Sequence, residues 1–227
     1  MQVHFGAELL HPEWAEAIVC IGTFDGVHLG HQQVITTARE VARRREVPLI
    51  LVTFDRHPAT ILAPEKAPQP ISSIAGNLRM FKSLGVSVAV ILPFTYELSL
   101  TTADNFFNSL LKATLSASHV VVGHDFAFGH LRQGTPAWLA ERIETTVVPA
   151  FGLEGKRVSS SQVRAAISQG DFPTAKNLLG RAWGMPGIVV SGKKLGRTLG
   201  FPTINIARAF NQILPPEGIY AGTAETD

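Results

Sequence analysis

Residues 17–45 read AIVCIGTFDGVHLGHQQVITTAREVARRR. The first five are apolar and mostly β-branched, which argues for a buried strand. The stretch from about Gly30 to Arg45 has helical character. Its closing Arg43-Arg44-Arg45 puts positive charge where a helix dipole favours it. Between strand and helix lies GTFDGVHLGH (22–31), with histidines three positions apart and glycines at 22, 26 and 30. Glycine allows tight turning and close backbone approach to a ligand. A helix start offers free N–H groups and the positive end of its dipole, so it favours a phosphate. Side chains three apart share a helix face, so His28 and His31 can both meet that phosphate. A zinc site would need a third ligand, with His57, His124 or Asp125 available. No second close pair of ligands supports one.

The same rhythm continues outward. PLILVTF (48–54) follows as a strand, then a proline-rich loop from Pro58 to Pro70 and a helix over 74–84. VSVAVIL (86–92) and SHVVVG (118–123) read as strands, with helices at 102–114 and 135–144, and TTVVPA (145–150) as a fifth strand. Strands that are apolar throughout, alternating with helices, predict a parallel sheet covered on both faces. Ligands of such sheets bind beyond the carboxyl ends of the strands, where GTFDGVHLGH falls. A polar stretch from Gly152 to Val158 leads to two more helices, 160–168 and 172–179.

After Trp183 the chain turns Gly-rich and β-like, so the expected modules are 1–182 and 183–227. The second is near the roughly 40-residue lower limit for an independent core. It ends soon after a strand start and is expected to be incomplete. GIVVSGKK (187–194) nearly matches a phosphate-binding Gly-x4-Gly-Lys-Ser/Thr loop. Lys194 replaces the magnesium-binding hydroxyl, and Ile-Val-Val fills the loop interior like a strand.

A net charge of +2 over 227 residues argues against nucleic-acid or membrane-surface binding. No apolar run approaches the roughly 20 residues of a membrane helix. No signal peptide is visible. The single cysteine, Cys20, excludes an internal disulfide and suits a reducing, cytoplasmic setting. Oligomeric state is not legible.

The His-x-Gly-His core resembles the signature of the nucleotidyltransferase superfamily. The whole decapeptide narrows the resemblance to the bacterial bifunctional riboflavin kinase/FMN adenylyltransferase family, also called FAD synthetase. VTFDRHPATILAP (52–64), VVVGHDFAFGHLRQG (120–134), VSSSQVRAAISQGDFPTAKNLLGR (158–181) and GRTLGFPTINI (196–206) resemble further family segments in the right order. Thr23, Asn77, Ser161 and Ile204 depart from the family's usual Asn, Lys, Thr and Ala. The resemblance implies a Rossmann-like α/β domain followed by the start of a β-barrel kinase domain, incomplete here, so that kinase activity is not expected of this chain. It implies ATP, FMN and riboflavin as substrates, FAD as product, and Mg²⁺ accompanying ATP.

In SSSQVR (159–164), Ser159 with Gln162 fits a capping box that needs no ligand. The hydroxyls of Ser159, Ser160 and Ser161, the helix-start N–H groups and Arg164 could instead hold ATP phosphates, Arg with two bonds. Arg157 is a weaker candidate for the same role. The resemblance favours a combined cap and phosphate site. It also implies that the loop carrying Asp125, Phe126 and Phe128 lines the nucleotide and flavin cleft, with His124 structural or superficial. Phe54 and Pro58 could pack on the flavin ring and His57 bond its edge, or the segment is a strand end with a proline turn. Gly22, Phe24, Asp25 and Gly30 complete the ATP- and phosphate-binding set. Asp25 could orient His28, contact a metal or brace the turn. No protein side chain is assigned as a metal ligand. In the kinase module, Thr203 and Asn205 resemble residues that position Mg-ATP. Such a family member joins the FMN phosphate to the α-phosphorus of ATP, with His28 and His31 stabilising charge. A nucleotidyltransferase of other specificity, or a flavin- or nucleotide-binding module without turnover, are the alternatives.

Overall fold

The computed structural model describes residues 1–7, 14–153, 155–192, 200–201 and 203–225. Six parallel strands form one sheet: β1 (Gln2–Phe5), β2 (Ala17–Ile21), β3 (Leu49–Phe54), β4 (Val88–Leu92), β5 (Ala117–Gly123) and β6 (Glu144–Val148). Their order is β1-β4-β3-β2-β5-β6. From β2 the chain winds outward through β3 to β4, then returns to place β5 on the other side of β2. The carboxyl ends of β2 and β5 therefore flank the switch point at which such sheets bind ligands.

Side chains alternate across the sheet with a period of two. Ile18, Cys20, Leu49, Leu51, Ala89, Ile91 and Val121 face α1 (Leu29–Arg45), which buries Val34, Ile35, Ala38 and Ala42. Val19, Ile21, Ile50, Val52, Val90, Val120 and Val122 belong to the opposite layer. Both faces are covered, so β2 and β4 are buried at every position. The one-turn helix α2 (Ala59–Leu62) interrupts the proline-rich loop, and α3 (Ile74–Ser83) precedes β4. Short helix α4 (Tyr96–Leu100) is followed by α5 (Ala103–Asn105), which continues as a π-helix over Phe106–Thr114. There the sequence predicts one α-helix. Bonding five residues back, as from Leu115 N–H to Leu110 O, brings Phe106 and Leu111 onto one core-facing side. The expected helix over 135–144 shrinks to α6 (Pro136–Ala140).

Strand β1 is missing from the sequence reading because its half-exposed edge position leaves no apolar run. The polar stretch 152–158 contains a small hairpin, β7 (Gly152–Leu153) with β8 (Lys156–Arg157). Helices α7 (Ser160–Ser168) and α8 (Phe172–Leu179) follow where expected and pack around Val163, Ile167, Ala175 and Leu179. Beyond Trp183, β9 (Gly187–Val190) pairs antiparallel with β10 (Asn205–Arg208). No closed barrel occurs among the described residues. The strand at Gly187–Val190 is where a P-loop would have needed a turn. Residues 193–199 and 202, part of the near P-loop and of GRTLGFPTINI, lie outside the described residues.

Candidate active site

The turn leaving β2 is backbone-strained. Phe24, Gly26 and Val27 have φ of 46°, 72° and 43°, in the left-handed region that a phenylalanine or valine seldom occupies. Packing holds it there. The Phe24 ring is buried against Phe81 and meets the His31 ring edge-on at 5.3 Å. A side chain at Gly22 would strike the Phe24 ring at 3.0 Å. The Phe24 ring therefore props His31 from the core side. Phe24 also lines the cleft.

His28 is the N-cap of α1 and not, as its spacing suggests, a residue on the helix face. Its Nδ1 accepts the His31 backbone N–H at 3.3 Å. A neutral ring accepting there carries its proton on Nε2. The two imidazoles stack at 3.7 Å with 18° between planes. Gly30 permits this approach, since a Cβ there would lie 3.2 Å from the His28 ring. His28 is only 6% exposed, and burial pushes its pKa down to about 4. Burial, then the neighbouring His28 and Arg164, hold His31 well below the usual imidazole range. Both shifts favour the neutral rings. Among the described residues, the Nδ1 of His31 is buried without a hydrogen-bond partner.

Opposite stands the start of α7. Ser159 caps it, its Oγ accepting the Gln162 N–H at 3.4 Å, so the capping reading holds. Ser160 donates to the Asp25 carbonyl. The Arg164 guanidinium gives Nη2 to Asp25 at 2.6 Å and Nε to the Gln69 carbonyl at 2.8 Å. Asp25 does not line the cleft. Its carboxylate accepts from Ile71 and Ser72 N–H groups and from Arg164. Of its three possible roles, bracing is the one the contacts display. Burial pushes its pKa up against the pull of those N–H groups and of Arg164.

One cleft of about 800 Å³ connects these parts. It is lined by Gly22, Gly30, His28 and His31, by Ser159, Ser160, Ser161 and Arg164, and by Phe54, His57, Pro58, Asp125, Phe126 and Phe128. Its lining combines imidazoles, hydroxyls and a guanidinium, suited to phosphate, with aromatic rings, suited to a flat heterocycle. Phe126 and Phe128 stack at 5.6 Å, with Phe128 largely in the core and Phe126 half-buried. Phe54 meets Phe94 edge-on at 5.4 Å. His57 Nδ1 accepts the Ala59 N–H, consistent with the structural reading of that turn. Asp125 pairs with Arg157 in the exposed rim, and His124 is exposed beside it.

Residues 10–162 match the family described as FAD synthetase, and residues 179–227 the one described as riboflavin kinase. The bifunctional riboflavin kinase/FMN adenylyltransferase of Bacillus subtilis is 34% identical over 224 residues, covering 96% of this chain and 71% of that protein. The Escherichia coli K12 protein of the same description is 34% identical, over 90% of this chain and 66% of its own length. The chain belongs to the bifunctional riboflavin kinase/FMN adenylyltransferase family. A solved structure described as the macrolide-efflux protein of Streptococcus pneumoniae superposes with a TM-score of 0.87 at 29% identity, over 96% of this chain and 73% of that one. Among the described residues no helix is long and apolar enough to cross a membrane.

For a member of this family, the gathered cleft belongs to the FAD synthetase part. Thr203 and Asn205 lie apart from it, exposed, with Asn205 opposite Val190 in the β9–β10 pair. Phe94, Tyr96 and Leu131 also line the cleft and escaped sequence reading. Phe94 lies between elements, Tyr96 opens the one-turn helix α4 and Leu131 sits in a short 3-10 turn, all too short for periodicity to mark them. Asn77 lies on α3, its buried side-chain oxygen without a hydrogen-bond partner among the described residues.

Proposed function

We propose that this cleft joins FMN to the AMP part of ATP, making FAD and pyrophosphate. The supporting observation is the stacked His28–His31 pair at the start of α1, facing the same space as Ser159–Ser161 and Arg164. A phosphate oxygen of FMN attacks the α-phosphorus in line. The new P–O bond forms as the bond to the β-phosphate bridging oxygen breaks, and pyrophosphate leaves with the electron pair. FMN phosphate is already an adequate nucleophile, so catalysis is positioning and electrostatics. The neutral His28 donates from Nε2 toward the charge developing at the α-phosphate, with His31 and the α1 N-terminus beside it. Ser159, Ser160, Ser161 and Arg164 hold the departing pyrophosphate. Phe54, Pro58 and Phe126 receive the flavin ring.

Magnesium enters with ATP, carried on the phosphates. The cleft's donors suit anions, and the nearby carboxylates of Asp25 and Asp125 are each paired with an arginine. Riboflavin phosphorylation belongs to the second module, with Thr203 and Asn205 as its candidate Mg-ATP residues. The buried thiol of Cys20 supports a reducing, cytoplasmic setting.

Incubation with ATP, Mg²⁺ and FMN, following FAD and pyrophosphate together, tests the adenylyl transfer. Full activity in both His28→Ala and His31→Ala would remove the proposed chemistry. The same chain with riboflavin and ATP tests the kinase half.

A further inference from the structure

Gln212 lies in the stretch that matches riboflavin kinase, yet only 2% of it is exposed. Its side-chain Nε2 donates to the carbonyls of Ile71 at 2.7 Å and Gly184 at 3.0 Å. A buried amide is costly unless satisfied, and an apolar side chain would fill the space equally well. What the amide adds is the fixed placement of two backbone carbonyls.

Ile71 is the centre of that placement. Its carbonyl also receives Trp183 Nε1 at 3.1 Å. Beside it, Ile213 N–H donates to the Pro70 carbonyl at 3.0 Å, and Gln69 donates to Asn211. The Ile213 side chain joins Ile71, Val163 and Ile167 in the α7–α8 core. On its other side, Ile71 N–H meets both oxygens of Asp25 at 3.0 Å. The Ile71 side chain lies under the strained turn, 2.6 Å from where a Cβ at Gly26 would stand. Asp25 and the Gln69 carbonyl then hold the Arg164 guanidinium.

We infer that Gln212 is a positioning residue for adenylyl transfer: through Ile71 it seats the strap 69–72, and through Asp25 and the Gln69 carbonyl that strap sets Arg164. This rests on the phosphate role proposed for Arg164. The kinase-matching stretch thereby contributes to the other half's site without touching substrate. Small displacements of a phosphate clamp are enough to weaken it.

The test is a double-mutant cycle on the full chain. Gln212→Met keeps the volume and removes both donors. It raises the KM for ATP about threefold to tenfold, as expected for a lost buried hydrogen-bond pair, and leaves the KM for FMN within about twofold. In an Arg164→Ala background the same change adds less than about twofold, because its route is gone. Trp183→Phe, which keeps a smaller aromatic ring and loses the N–H, behaves alike and serves if Gln212→Met does not fold. The cycle is read by FAD formation and by equilibrium binding of Mg-ATP. Intact ATP binding without FAD would sink the proposed reaction, and the binding cycle would still decide the coupling. An unchanged ATP affinity, an equal rise for FMN, or a penalty that multiplies in full on Arg164→Ala overturns the inference.

Discussion

His31 donates its backbone N–H to the Nδ1 of His28, so one imidazole both caps a helix and faces the cleft. The two roles separate by mutation. His28→Ala loses the cap and costs about 1 kcal/mol of stability. His28→Asn restores the cap and most of that stability. Both lose about 100-fold or more in turnover, since neither supplies the Nε2 donor. Urea unfolding alongside FAD formation checks this. An asparagine variant as active as wild type would contradict it.

The buried imidazoles give stability a defined pH dependence. The pKa of His28 falls to about 4 from the ordinary 6.5. Between those values the unfolded chain binds more protons than the folded one, so stability rises with pH across the window and is lost as pH falls through it. His31, also lowered, acts with the same sign. Asp25, raised, acts with the opposite sign. Subtracting the pH profile of His28→Asn isolates the His28 part. Unfolding midpoints measured between about pH 4 and 6.5 should show a shallower rise in that variant.

Gly26 has a φ of 72° and faces Ile71, whose Cγ2 would stand 2.6 Å from an added Cβ. Gly26→Ala adds steric overlap to an unfavourable backbone conformation. The expected loss is about 1–3 kcal/mol of stability. A melting temperature equal to wild type would show that Ile71 moves aside freely.

The aromatic residues lining the cleft predict a split in kinetics. Phe126→Ala removes a ring that stacks on Phe128 and borders the open space. The KM for FMN should rise about tenfold while that for ATP changes little. Steady-state rates with each substrate varied in turn decide it. Equal rises for both would assign Phe126 to general packing.

Local pattern was enough for much of the scaffold. The runs at 17–21, 49–54 and 88–92 are apolar at nearly every position because both faces of their sheet are covered. That coverage can be read from the residues alone. The helix at 160–168 announces itself through Ser159, whose side chain accepts the Gln162 N–H. The decapeptide at 22–31 likewise marks the site, since its glycines and histidines are placed by neighbours in the chain.

The sequence by itself determined most element types, the parallel α/β class and many of the residues that face the cleft, because period, capping and turn chemistry act over a few residues. Tertiary structure alone decided the order β1-β4-β3-β2-β5-β6, the inward role of Phe24, and the tie from Asp25 to Arg164. It also brought Gln212 against Ile71, 141 positions away in the chain. Each depends on which distant groups are pressed together when water is excluded. A buried carboxylate or amide then takes the partner that packing delivers.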